Sequence, residues 1–130
     1  MKGVYVLLIE LPKSAEIQVG HLGKIKFKTG FYAYVGSALG GLEARIRRHL
    51  RKEKKIHWHI DYLLARARIK EVYVDYGKEC DIARKLSEYF TCIRGFGSSD
   101  CDCKSHLFYD EDRDLLNEIV GKLCDKFETP

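Results

Sequence analysis

The spacing of apolar and polar positions changes along the chain, and each change predicts an element. "GVYVLLIEL", Gly3 to Leu11, is a nearly unbroken apolar run. A short β-rich run of this kind reads as a buried strand. "GKIKFKTG" behaves differently, because Ile25 and Phe27 alternate with Lys24, Lys26 and Lys28. A period of two describes a strand with one wet face. With Gly20, Gly23 and Gly30 as turning points, it predicts an extra hairpin leading into the strand Phe31–Val35. From Leu42 the period lengthens. Leu42, Ile46 and Leu50 recur every four residues. That spacing predicts a helix over Leu42–Lys52, with this stripe inward and Arg45, Arg48 and His49 on other faces.

The rest of the chain reads in the same way. "IHWHIDYLLARAR" predicts a second helix over 56–68, "IKEVYVDY" a further strand and "ECDIARKLSEYF" a third helix over 79–90. "TCIRGFGSSDCDCKSH" is a loop rich in Gly, Ser and Cys. "LFY" is a short strand, and Asp112–Phe127 a last amphipathic helix. The expected fold is α+β. A small, mainly antiparallel three-stranded central sheet (Gly3–Glu10, Phe31–Val35, Ile69–Asp75) is flanked by helices, and the inserted segment adds an edge hairpin. No repeat, low-complexity stretch or Pro/Gly-rich linker divides the 130 residues, so one domain over 1–130 is expected.

Composition narrows the class. With 45% hydrophobic and 32% charged residues, the chain can bury one core and is not of the disordered type. The first apolar run is short and stops at Glu10 and Pro12, unlike a signal peptide. No apolar stretch approaches bilayer-spanning length. The five cysteines are an odd number. Without a secretion signal, this favours a cytoplasmic protein with mostly reduced thiols.

Charge changes the picture more. The net charge of +4 is modest, but its distribution is not. In "RIRRHLRKEKK", Arg45 to Lys55, seven residues are Lys or Arg and one is acidic, whereas acids gather in "DEDRD", Asp110 to Asp114. One side of the protein should be positive. Arg47, Arg48, Arg51, Lys52, Lys54 and Lys55 are the candidates to hold a nucleic-acid backbone.

Next to that run lie residues suited to phosphodiester chemistry. Tyr5 and Tyr34 present phenols from strands, Tyr32 shares a face with Tyr34, and Gly3 and Gly36 allow close approach and a free turn. Arg45 and His49 follow, one helical turn apart. A guanidinium binds phosphate oxygens and stabilises charge that builds in the transition state. Tyr or His can orient a water and take its proton. The plainer reading is that strand tyrosines fit a pleated surface and that Arg and His at this spacing form a solvated helix face.

"GVY" at Gly3–Tyr5, "YVGSA" at Tyr34–Ala38 and "RIRRH" at Arg45–His49, in that order, resemble the GIY-YIG nuclease superfamily. The strings "YAYVGSALGGLEARIRRH", "HWHIDYLL" and "GFGSSDC…SHLFY" further resemble a mostly archaeal branch grouped with Uri-type endonucleases. The resemblance implies a metal-dependent endonuclease of the GIY-YIG type, acting on nucleic acid in DNA repair or processing, with DNA favoured over RNA as the partner and the choice left open by the sequence. By position, Tyr5 and Tyr34 would line the site and help position or deprotonate the attacking water. Arg45 would bind the scissile phosphate, with His49 beside it. A glutamate on a later helix, here Glu79, would hold one Mg²⁺ or Mn²⁺, a role oxygen ligation permits. Glu79 at a helix start also suits the helix dipole without any metal. Two departures stand out. Lys13–Gly30 lengthens the spacing between the triplets, and the only asparagine, Asn117, falls inside the last predicted helix.

The Cys/His content leaves other readings open. Cys101, Cys103 and His106 could supply part of a zinc ligand set, or the cysteines are simply buried or oxidised, and Cys92 could pair with Cys101 or Cys103. His57 and His59 flank Trp58 and read as a polar network or a groove edge. The alternatives to the nuclease are therefore a non-catalytic nucleic-acid-binding module and a zinc-stabilised interaction domain.

Overall fold

The computed structural model describes residues 3–38, 40–97 and 105–128. In chain order its elements begin with β1 (Gly3–Leu11), β2 (Ala15–Gln18), β3 (Lys24–Phe27) and β4 (Gly30–Ala38). Then come α1 (Leu42–Leu50), α2 (His59–Leu64), β5 (Arg68–Asp75) and α3 (Glu79–Ser87). The chain continues with β6 (Thr91–Cys92), β7 (Leu107–Asp110), α4 (Arg113–Leu123) and β8 (Asp125–Lys126). The fold is α+β. The three expected strands are adjacent and antiparallel, with β1 between β4 and β5. The sheet does not stop at three. It has six strands in the order β6-β7-β4-β1-β5-β8, every pair antiparallel. The two-residue strands β6 and β8 give short edges, which limits pairing with another chain.

Strand alternation divides the core in two. Tyr5, Leu7 and Ile9 of β1 face one way with Tyr32 and Tyr34 of β4, and α1 and α2 cover them with Ile46, Ile60 and Leu63. Val4, Val6 and Leu8 face the other way with Ala33 and Val35, under Ile82 and Leu86 of α3 and Leu116 and Val120 of α4. The β1 run is apolar throughout because both of its faces are covered.

Four expectations are corrected. The hairpin exists, but β2 and β3 pair only with each other and do not extend the edge of the main sheet. Ile17, Val19 and Phe27 turn it onto the sheet's first face as a lid. The second helix spans only His59–Leu64. The third helix stops at Ser87. The last helix ends at Leu123, and Asp125–Lys126 pairs with Tyr73 and Val74 instead. That helix starts where Asp112 caps it, its carboxylate accepting from the N–H groups of Asp114 and Leu115. Among the described residues no helix is long and apolar enough to cross a membrane.

Candidate active site

Tyr5 and Tyr34 stand on the same face of adjacent strands, with ring centroids 6.4 Å apart. Gly36 lies directly across from Tyr5 in the β1–β4 pairing. A Cβ at Gly36 would run into the Tyr5 ring and hydroxyl. This glycine therefore makes room inside a strand; it does not free a turn as the sequence suggested. Gly3 does allow a close approach, since a Cβ there would meet Leu42 and the Asp75 carbonyl.

α1 supplies the next two groups. Its buried positions are Leu42, Ile46 and His49, whereas Leu50 is 41% exposed. The histidine, not the leucine, completes the inward stripe. His49 Nε2 lies 2.7 Å from the Tyr5 hydroxyl, and Nδ1 has no hydrogen-bond partner among the described residues. Burial lowers the His49 pKa from 6.5 to about 4; Asp61 opposes the shift, and Arg48, Lys54 and Arg45 add to it. Burial raises the Tyr5 hydroxyl to about 12, although the Arg45 guanidinium beside it pulls the other way. Burial also raises Tyr34. At neutral pH the imidazole is uncharged and both phenols are protonated.

Arg45 is fixed from two sides. Its Nη1 donates to the Ser37 carbonyl at 3.2 Å, and its Cζ sits 4.4 Å from the centre of the Trp58 ring. Arg48 contacts the same ring at 4.3 Å. Cation–π contact of this kind holds a guanidinium without consuming its N–H donors. Asp61 anchors the arrangement. Its fully buried carboxylate accepts two bonds from Arg48, at 3.0 and 2.9 Å, and one each from the backbone N–H groups of His57 and Trp58. Burial alone would raise this acid, but the Arg48, Trp58 and His57 donors outweigh it and hold Asp61 below its ordinary range.

Glu79 arrives from the opposite layer. It opens α3, which packs on the sheet's second face, and its carboxylate reaches round the sheet end. There it helps to line an open cleft of about 260 Å³ together with Tyr5, Tyr34, Ser37, Arg45 and Trp58. Four of the five residues singled out for catalysis thus meet at one cleft, and His49 stands behind Tyr5. Gly97 also borders the cleft; its N–H donates to His59 Nδ1 at 2.9 Å, which places His59 in a polar network.

The charged run divides by role. Arg48 is committed to Asp61 and to the Lys55 carbonyl, and Lys54 to the carbonyls of His49 and Arg51. Arg51, Lys52 and Lys55 are exposed, as is Arg47, which pairs with Glu43.

The metal candidates separate similarly. Cys101 and Cys103, and with them the disulfides considered for Cys92, lie outside the described residues. His106 is buried with Nδ1 3.6 Å from Glu79 Oε2. Among the described residues no group of three or more His, Cys, Asp or Glu is arranged to hold a metal. The cleft nevertheless fits a hard cation of the Mg²⁺ type. It offers one carboxylate among phenol oxygens, and its openness leaves room for water and phosphate to complete the shell. Asn117 is remote from it, bonded to the Tyr73 hydroxyl on the second face.

Two contributors are hidden in the sequence. The Ser37 carbonyl carries no side-chain signal, and His106 reads along the chain as a companion of the cysteines beside it. A family model described as "Domain of unknown function DUF123" matches residues 4–129. No curated protein matches the chain, and no solved structure does.

Proposed function

The chain belongs to the DUF123 family, and we propose that it is a phosphodiester hydrolase of the GIY-YIG type, an endonuclease acting on nucleic acid with a divalent cation. One observation carries this reading: Tyr5, Tyr34, Arg45 and Glu79, distant in sequence, line one cleft, with His49 hydrogen-bonded behind Tyr5. A protein-interaction domain gives no reason for a guanidinium, a carboxylate and two phenols to share one open cleft. A binding-only module gives no reason for a phenol to be buried against an imidazole.

In this mechanism Arg45 holds a non-bridging oxygen of the scissile phosphate and stabilises the charge that builds there. Tyr34 and Tyr5 orient the attacking water in line with the bond to be broken. Because Tyr5 is a phenol at neutral pH, it relays and does not act as a phenolate. It passes its proton to His49 Nε2 as it accepts one from the water. The water oxygen bonds to phosphorus, the opposite P–O bond breaks, and the released oxygen takes a proton from solvent in the open cleft, while His49 later returns its own proton to solvent through Tyr5. An anionic phosphate in the cleft offsets the cationic field that helps hold His49 neutral, and so makes the imidazole a better acceptor at the moment it is needed. A divalent cation held by Glu79 would supply Lewis acidity toward the phosphate and its leaving oxygen. Arg47, Arg51, Lys52 and Lys55 supply sequence-independent attraction to the backbone, while Arg48 and Lys54 act structurally.

The test is cleavage of nicked, branched, single-stranded and double-stranded DNA and RNA, with and without Mg²⁺ or Mn²⁺. Wild type should cut in the presence of metal. Arg45→Ala should be slower by on the order of 10²–10³, the scale of losing one preorganised charge-stabilising donor. Glu79→Gln should lose the metal response yet bind nucleic acid in its absence. A cutting enzyme indifferent to Arg45→Ala sinks the mechanism.

A further inference from the structure

A second hollow, of about 230 Å³, lies at the far end of α1 from the cleft. Arg51, Lys52 and Lys54, from the segment after α1, share its wall with Arg68 from the first position of β5. Leu50 and Ile69 form part of an apolar floor, and none of its lining residues is acidic. Four cations from two separate segments therefore surround one concavity. Arg51, Lys52 and Arg68 are exposed, and their side chains have no ion-pair partner among the described residues. Gathering like charges this way raises the energy of the empty hollow, and an anion would relieve it. The C-terminal dipole of α1 would normally repel an anion. Here Lys54 donates to the His49 and Arg51 carbonyls and offsets it.

The spacing suggests which anion. Along α1 the cleft is lined at Arg45 and the second hollow at His49 and Leu50, positions about 6–7.5 Å apart along the helix axis. Phosphates along one strand of a duplex recur every ~3.4 Å of axis. The two hollows thus stand apart by about two base steps along a strand lying beside α1. We propose that this second hollow is a phosphate-binding subsite that takes a backbone phosphate of the same nucleic acid the cleft engages, with a sugar against the Leu50–Ile69 floor. The inference rests on the nuclease reading for its partner, but not on turnover.

The test separates the two. Binding is measured by fluorescence anisotropy without metal, on duplexes lengthened one base pair at a time, each as DNA and as RNA. Wild type should gain affinity at the length that first reaches the second hollow. The double variant Arg51→Gln/Arg68→Gln should lose that gain, and should weaken binding of shorter duplexes far less than of long ones. Its slope of log K against log salt on long duplexes should shrink by roughly 1, near 0.9 for the one phosphate no longer neutralised. Equal weakening at every length overturns the proposal, because the cations would then act as a diffuse field, and so does an unchanged slope. Inorganic phosphate that displaces long duplexes at low concentration would also overturn it, marking a free-anion site. A length step lost in the double variant, with no cleavage under any condition, keeps the subsite and removes the nuclease. Cleavage without a length step does the reverse.

Discussion

Tyr5 and Gly36 compete for one small volume, and this makes Gly36→Ala an informative substitution. The glycine is not in a left-handed conformation, so alanine meets only the steric term. The added methyl must displace the Tyr5 ring, at a cost of about 1–3 kcal/mol, the range for overpacking. Urea denaturation of Gly36→Ala, Tyr5→Ala and the double variant should show coupling, with most of the Gly36→Ala cost gone once the ring is removed. Additive effects would mean that the ring is not what the methyl meets. That the phenols and the guanidinium would lie close together was legible in the sequence, because they stand on two paired strands and the helix that follows. His49 was misplaced for a plain reason. At about 100° per residue, position 49 falls nearer the axis of the Leu42–Ile46 stripe than position 50 does. Hydrophobicity argued for Leu50, and geometry preferred His49. Asp61 gave no signal, because its meaning lies in Arg48, thirteen residues away, and in two backbone donors.

At the level of elements, the hairpin β2–β3 matters more than an edge arm would. Phe27 is 2% exposed and meets Tyr32 and Phe96 edge-on, at centroid distances of 5.9 and 6.2 Å. Phe27→Ala should therefore destabilise the whole domain by about 3–5 kcal/mol in chemical denaturation, as core aromatic truncations do. A loss of only a few tenths would make the hairpin a loose appendage. The three central strands were readable because their apolar runs are long. The edges were not. Thr91–Cys92 and Asp125–Lys126 are two-residue strands defined by pairing with β7 and β5, and two residues carry no period. The shortness of α2 was hidden too, because Trp58 begins it only through the Asp61 carboxylate that reaches back to its N–H. The hairpin's inward face could be seen in Ile25 and Phe27, but which surface it would cover could not.

The molecule as a whole should register the buried imidazole in its response to acid. The folded pKa of His49, about 4, lies below the ordinary 6.5, so between those values the unfolded chain binds a proton that the folded chain refuses. Stability should be full for this group above about 6.5, fall as pH drops toward about 4, and level off below. Burial lowers His59 and His106 in the same direction. Asp61 acts separately: its lowered pKa contributes stability that is lost only below the ordinary 3.8. Urea midpoints measured across this range should show a shallower fall in His49→Gln than in wild type; an identical slope would exclude His49 as a source. The cleft itself draws on both sides of the sheet. Tyr5, Tyr34 and Arg45 belong to one layer, and Glu79 to the helix that starts the other. On the ribosome, Tyr5, Tyr34 and Arg45 emerge with β1, β4 and α1, whereas Glu79 follows with α3, whose layer is complete only when α4 has been made. A half-made chain would therefore hold the guanidinium and the phenols without a firmly placed carboxylate. For the nuclease proposed above, completion of the fold would thereby act as a safety catch, withholding the cut from a nascent or partly melted copy.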